Sequence, residues 1–135
     1  MAITKDERQT LINLASEARR HAYAPYSNYP VGAALRTSSG RFFTGVNVEN
    51  AAYPQTMCAE RVAIFKAISE GESNFEAMAV VTKNGGTPCG GCRQVLAEFG
   101  LGTIILIADE DGQLIKQITV AELLPEAFTP KQLDK

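Results

Sequence analysis

Cysteine stands at three positions in this chain, Cys58, Cys89 and Cys92, and the last two form a Cys-x-x-Cys turn. The apolar pattern behind each segment predicts that both open a helix, one over Cys58–Glu70 and one over Gly91–Phe99. A helix N-terminus carries partial positive charge and favours the thiolate form of a nearby cysteine. Thiolate is the form that binds zinc, and a Cys-x-x-Cys turn lets two sulfurs reach one ion. A fold that uses all three sulfurs together must bring two helix starts to one point. Three protein ligands leave the fourth tetrahedral position open, which is the layout of a catalytic site rather than a closed structural one.

The rest of the chain supplies a frame for such a site. Thr4-Lys5-Asp6-Glu7 has the form of a capping box. Leu11, Leu14, Ala15, Ala18 and Ala22 recur behind it at helical spacing, predicting a helix from about Lys5 to about Ala22 that stops before Pro25. Val31–Thr37 and Arg41–Val46 read as a hairpin around Ser38-Ser39-Gly40. The helix at 58–70 is apolar almost all round, through Val62, Ile64, Phe65 and Ile68, and is expected between layers. Gly71 and Gly100 are placed to close the second and third helices. Met78–Thr82 and Thr103–Ala108 are apolar strands, Asp109–Gly112 turns into a strand over Gln113–Ile118, and Val120–Leu124 begins a last short helix. Continuous apolar strands need cover on both faces. The expected fold is α/β, a three-layer α/β/α sandwich around a mixed five-stranded sheet, in one domain over residues 1–135.

Charge narrows the function. A net charge of −2 argues against electrostatic capture of nucleic acid, and Arg19-Arg20 is the only adjacent basic pair. No apolar run is long enough to span a bilayer. Met1–Arg8 is polar and mixed in charge, resembling no signal peptide, so a cytoplasmic location is expected.

Glu60 lies two residues after Cys58, where its carboxylate could exchange protons with a water at the open zinc position. Three thiolates against one divalent ion leave a net −1, and Arg61 and Arg93 are candidates to offset it. Two other readings of the cysteines stand beside this one. A Cys-x-x-Cys can be a redox dithiol, although that leaves Cys58-Ala59-Glu60 unexplained. A structural zinc site would need a fourth ligand, and the only histidine, His21, falls beside Arg19 and Arg20 at the end of the first helix, a position for an exposed capping residue.

Cys-Ala-Glu followed, beyond residues 61–87, by Pro88-Cys89-Gly90-Gly91-Cys92 resembles the zinc deaminase signature, with cysteine in place of its leading histidine. Tyr23–Ser27, Val31–Leu35, Gly45–Tyr53, Cys58–Arg61, Pro88–Gln94 and Leu123-Leu124-Pro125 extend the likeness to the small homotetrameric cytidine deaminases, from about Tyr23 to about Phe128. The resemblance implies hydrolytic deamination of cytidine and 2′-deoxycytidine to uridine and 2′-deoxyuridine in pyrimidine salvage. It implies one Zn2+ per subunit on Cys58, Cys89 and Cys92, with Glu60 as proton shuttle. It further implies that Asn47 and Glu49 hold the ribose 3′-hydroxyl and that the Ala59 N–H holds the pyrimidine carbonyl. The Thr87 carbonyl then accepts from the leaving amine, and Phe128 reaches into a neighbouring subunit's site in a homotetramer. Tyr29 stands where members of the family often carry a phenylalanine near the base, and adds a hydroxyl there. The alternatives are a deaminase of the same fold acting on another aminopyrimidine nucleoside, and a non-catalytic zinc module. A nucleic-acid editing deaminase would need a basic strand-binding surface, which this acidic chain lacks.

Overall fold

The computed structural model describes residues 3–135, leaving Met1 and Ala2 outside the described residues. Helix α1 (Lys5–Arg19) opens on the predicted capping box: Glu7 N–H donates to Thr4 Oγ1 at 3.1 Å, and Thr4 N–H donates to Glu7 Oε1 at 2.9 Å. The helix ends three residues short of Ala22, because the chain beyond it is recruited into extended pairing. Tyr23 N–H donates to the Asn47 carbonyl at 3.0 Å, and Glu49 N–H donates to the Tyr23 carbonyl at 2.9 Å. A backbone that gives both groups to a neighbouring strand cannot also continue a helix.

The remaining elements in chain order are β1 (Gly32–Thr37), β2 (Phe42–Val46), α2 (Ala59–Ser69), β3 (Phe75–Val81), α3 (Gly90–Phe99), β4 (Ile104–Ala108), β5 (Leu114–Thr119) and α4 (Val120–Leu123). Short 3-10 turns at Tyr53–Gln55 and Pro130–Leu133 complete them. The five strands form one mixed sheet in the order β2-β1-β3-β4-β5. Only β3 and β4 are parallel, and α3 lies in the crossover between them.

Alternation along the strands sorts the core into two layers. Ala34, Ala77, Ala79, Val81, Ile104 and Leu106 face α1, meeting Leu11, Ile12 and Ala15. The opposite side chains, among them Leu35, Met78, Val80, Ile105 and Ile107, pack on Ala63 and Ile64 of α2, Leu96 of α3 and Val120 of α4. The result is the expected α/β/α sandwich.

Two local departures have physical causes. Strand β3 begins at Phe75 rather than Met78, as the Thr37–Phe75 pairing shows. Glu76 breaks the apolar pattern there, but Arg36 on the adjacent strand meets it at 3.3 Å. Helix α2 is not enclosed on all sides: Ala59, Ala63, Ile64 and Ala67 are buried, whereas Phe65 and Ile68 are exposed. The sheet covers one face of the helix, and among the described residues no other layer covers the opposite one.

Arg36 also pairs with Glu7, tying α1 to the sheet. The Thr4 backbone N–H and the Arg36 guanidinium hold the Glu7 carboxyl down to about 2. A depressed carboxylate contributes stability above its unfolded value and loses it as pH falls toward its folded one. The melting temperature of Glu7→Gln is therefore expected to lie below that of the parent at pH 7. The gap should close between about pH 5 and pH 2, and thermal melts across that range check it.

Candidate active site

The two helix starts converge. Cys58 is the N-cap of α2 and Cys89 the N-cap of α3, and neither side chain caps its own helix. Cys92 lies in the first turn of α3 and is buried. The Sγ atoms of Cys58 and Cys89 are 3.8 Å apart, those of Cys89 and Cys92 are 3.5 Å apart, and all three lie within 4.8 Å of one another. Tetrahedral zinc with sulfur ligands at ~2.3 Å places its sulfurs ~3.8 Å apart.

Proton chemistry points the same way. Hydrogen bonds from Cys92 and from Arg61, whose Nη2 donates to Cys58 Sγ at 3.3 Å, pull the Cys58 thiol down to about 5. The thiol of Cys92 moves up, through its bond to Cys58 and its burial. Cys58 is thus the sulfur that gives up its proton most readily, and Cys92 the one that holds its proton until a cation takes its place. A divalent soft-ligand ion replaces those protons, and three sulfurs at this spacing fit Zn2+.

Glycine at position 45 makes the convergence possible. A Cβ there would run into the Ala59 carbonyl and the Ala63 amide nitrogen. The first turn of α2 therefore rests directly on β2, which fixes Cys58 and Glu60 against the sheet.

A cavity of ≈ 280 Å³ opens beside the sulfurs. Cys58, Ala59, Glu60, Cys89 and Thr87 line it together with Ser27, Tyr29, Val31, Asn47, Glu49 and Thr56. Glu60 is only 5% exposed. Burial, with the Cys58 charge adding to it, raises its carboxyl to about 7, near the value at which a group both takes and returns protons.

The polar groups of Asn47 and Glu49 are fixed by backbone. Asn47 Oδ1 accepts from Val31 N–H at 2.9 Å, and Asn47 Nδ2 donates to the Tyr29 carbonyl at 3.0 Å. Glu49 accepts from the Ser27 hydroxyl and from the N–H groups of Ser27 and Tyr26, both at 3.0 Å, which lowers its pKa. It therefore stands ionised at neutral pH, and Asn47 Nδ2 meets its Oε2 at 3.5 Å. Reciprocal bonds between Val48 and Met57, at 3.0 and 2.9 Å, close the neck of the loop that separates Asn47 from Cys58.

The profile of the "Cytidine and deoxycytidylate deaminase zinc-binding region" family matches residues 5–108. The chain belongs to this deaminase family. A cytidine deaminase of Sporosarcina psychrophila is 48% identical over 128 residues, covering 93% of each chain. Another, of Halalkalibacterium halodurans, is 49% identical over 131 residues, covering 95% of this chain and 98% of the relative. The crystal structure of a cytidine deaminase from Burkholderia pseudomallei superposes with a TM-score of 0.85 at 44% identity, over 93% of this chain and 100% of that one.

Against the expectations for a deaminase, one residue bonds elsewhere. Arg93 donates to the Pro88 carbonyl at 2.7 Å, the Leu123 carbonyl at 2.8 Å and Thr87 Oγ1 at 2.9 Å. Its guanidinium braces the Cys-x-x-Cys loop against α4, and Arg61 is the arginine that meets sulfur. Phe128 is 55% exposed and does not line the cavity of its own chain. His21 is exposed, as a residue closing α1 would be. Sequence reading gave no part to Ser27, Thr82 or Asn84 in the deaminase site. Ser27 could have been found as the hydroxyl nearest Pro25 and the Asn-x-Glu segment, but Thr82 and Asn84 belong to no pattern that marks them.

Proposed function

We propose that this chain is a zinc-dependent enzyme that hydrolyses cytidine and 2′-deoxycytidine to uridine, or 2′-deoxyuridine, and ammonia. One observation carries the reading: a buried carboxyl beside three convergent sulfurs shares one cavity with an amide and a carboxylate suited to a sugar. Cys58, Cys89 and Cys92 would hold the zinc. When bound, the ion supplies a Lewis acid that lowers the pKa of water toward ~7. Glu60 takes a proton from the attacking water and delivers it to ring N3, which makes C4 electrophilic. Once the water oxygen is bonded to C4, Glu60 takes the second proton from that oxygen and gives it to the exocyclic amine, which leaves as ammonia while C4 becomes a carbonyl. The Ala59 N–H, free at the start of α2, orients the pyrimidine carbonyl, and the Thr87 carbonyl accepts from the amine. Asn47 and the ionised Glu49 bind the 3′-hydroxyl. Arg61 offsets the charge of the thiolates.

The sugar end also favours a nucleoside over a nucleotide. No lysine, arginine or histidine lines the cavity, and Glu49 repels a phosphate. A site built to bond a hydroxyl leaves buried polar groups unpaired when the free base binds. The exposed Tyr53, Phe65, Ile68 and Phe128 supply apolar surface for further copies of the chain. They support a homotetramer of single-domain subunits in which Phe128 completes a neighbour's site. Among the described residues no helix is long and apolar enough to cross a membrane. A cytoplasmic role in pyrimidine salvage accords with this reading.

The test is ultraviolet monitoring of cytidine, 2′-deoxycytidine, cytosine and cytidine 5′-monophosphate, with and without a zinc chelator. The nucleosides are expected to exceed the base and the nucleotide by about 10³-fold or more in kcat/KM, with turnover lost on chelation. Turnover of another aminopyrimidine nucleoside, with cytidine untouched, would sink the reading.

A further inference from the structure

Tyr29 bonds to two parts of the chain around the cavity. Its carbonyl accepts from Asn47 Nδ2 at 3.0 Å, and its N–H donates to Ser27 Oγ at 3.1 Å, the same hydroxyl that donates to Glu49. Its side chain lines the cavity, and its hydroxyl donates to Asn84 Oδ1 at 2.7 Å. Asn84 belongs to the loop that leads from β3 to Thr87 and Cys89. Gly86 of that loop has no side chain to hold the ring off, since a Cβ there would strike the Tyr29 hydroxyl. Gly86 N–H donates to Thr82 Oγ1 at 2.8 Å, which draws the loop back over the end of β3. Arg93 fixes the far side of the loop through Thr87 Oγ1 and the Pro88 carbonyl. Between these two anchors, the Tyr29–Asn84 bond is the side-chain link that joins the loop to the sugar end.

We propose that Tyr29 is a positioning residue whose hydroxyl, through Asn84, sets the distance between the sugar anchors Asn47 and Glu49 and the amine acceptor on Thr87. This rests on the reading of Thr87 given above. Catalysis in an oriented site falls steeply with small misplacement of one contact. The link acts on the amine end, so its loss affects a substrate that carries the amine and spares a ligand that lacks it. Uridine is such a ligand, with the same sugar and a carbonyl at C4.

The experiment compares the zinc-loaded wild-type enzyme with Tyr29→Phe, Asn84→Ala, the double variant and Asn84→Asp. Both single variants are expected to lose about tenfold in kcat for cytidine, while inhibition by uridine changes by less than about twofold. The double variant should be no slower than either single one, because all three lack the same bond. Asn84→Asp keeps an acceptor oxygen and should recover most of the rate. A merely structural role would lower melting temperature without this split between cytidine turnover and uridine binding. Unchanged kcat in Tyr29→Phe, losses that multiply in the double variant, or equal weakening of uridine each overturn the inference. A wild-type enzyme inert toward cytidine would instead overturn the underlying function.

Discussion

Glu60→Ala is expected to fold, bind zinc and lose at least about 10⁴-fold in turnover, the upper range for a positioned acid–base group. Two observations and the proposed mechanism set the size and selectivity of the effect. The carboxyl is buried beside the sulfurs, so bulk water does not replace it as a proton carrier. It has to act twice in one cycle, at ring N3 and at the leaving amine, so its removal blocks two transfers. It is not among the three clustered sulfurs, so the metal centre keeps its ligands. Burying a carboxyl is unfavourable, as its raised pKa reflects, and the variant should melt no lower than the parent. Metal analysis, thermal melts and ultraviolet assays on one preparation check all three. Turnover above about one per cent of wild type would remove Glu60 from proton transfer.

The second large effect falls on stability. Cys89→Ala is expected to abolish stoichiometric zinc and activity together, and to lower the melting temperature by roughly 10–20 °C. A ligand held about a thousandfold above its dissociation constant contributes about 4 kcal/mol to the folded state. For a chain of this size that corresponds to a shift in the stated range. Cys89 is the informative choice because its side chain is exposed, whereas Cys92 is buried and its truncation would add a packing defect. Chelator should destabilise the wild-type protein and leave Cys89→Ala unchanged, so the two melts converge. A chelator effect of similar size on the variant would show that Cys89 is not a ligand.

Much of this architecture is legible in the residues. Alternating and continuous apolar runs give the strands, Thr4 and Glu7 mark the start of α1, and the cysteine spacing places two helix starts at one point. What escapes such reading depends on partners distant in sequence. The early start of β3 needs Arg36 beside Glu76, and the early end of α1 needs the 47–49 segment to pair with Tyr23. Arg93 looks like a counter-charge because it adjoins Cys92, yet a helix turns successive side chains about 100° apart. Adjacency in sequence therefore says little about adjacency in the site. Arg61, three positions after Cys58, has the spacing that returns a side chain to the same helix face. The Tyr29–Asn84 bond joins residues 55 positions apart and has no local signature at all.

The bridge between Val48 and Met57 bears on how such a chain can change. It acts as a drawstring: the separation of Asn47 from Cys58 is set by two hydrogen bonds at the neck, whatever the length of the loop beyond. Residues 50–55 hang outside it, all exposed. Insertions there enlarge a pouch and leave the span between Asn47 and Cys58 as it was. Changes confined to residues 50–55 therefore bear on the exposed ring of Tyr53, and with it on the surface offered to further copies of the chain, before they bear on that span.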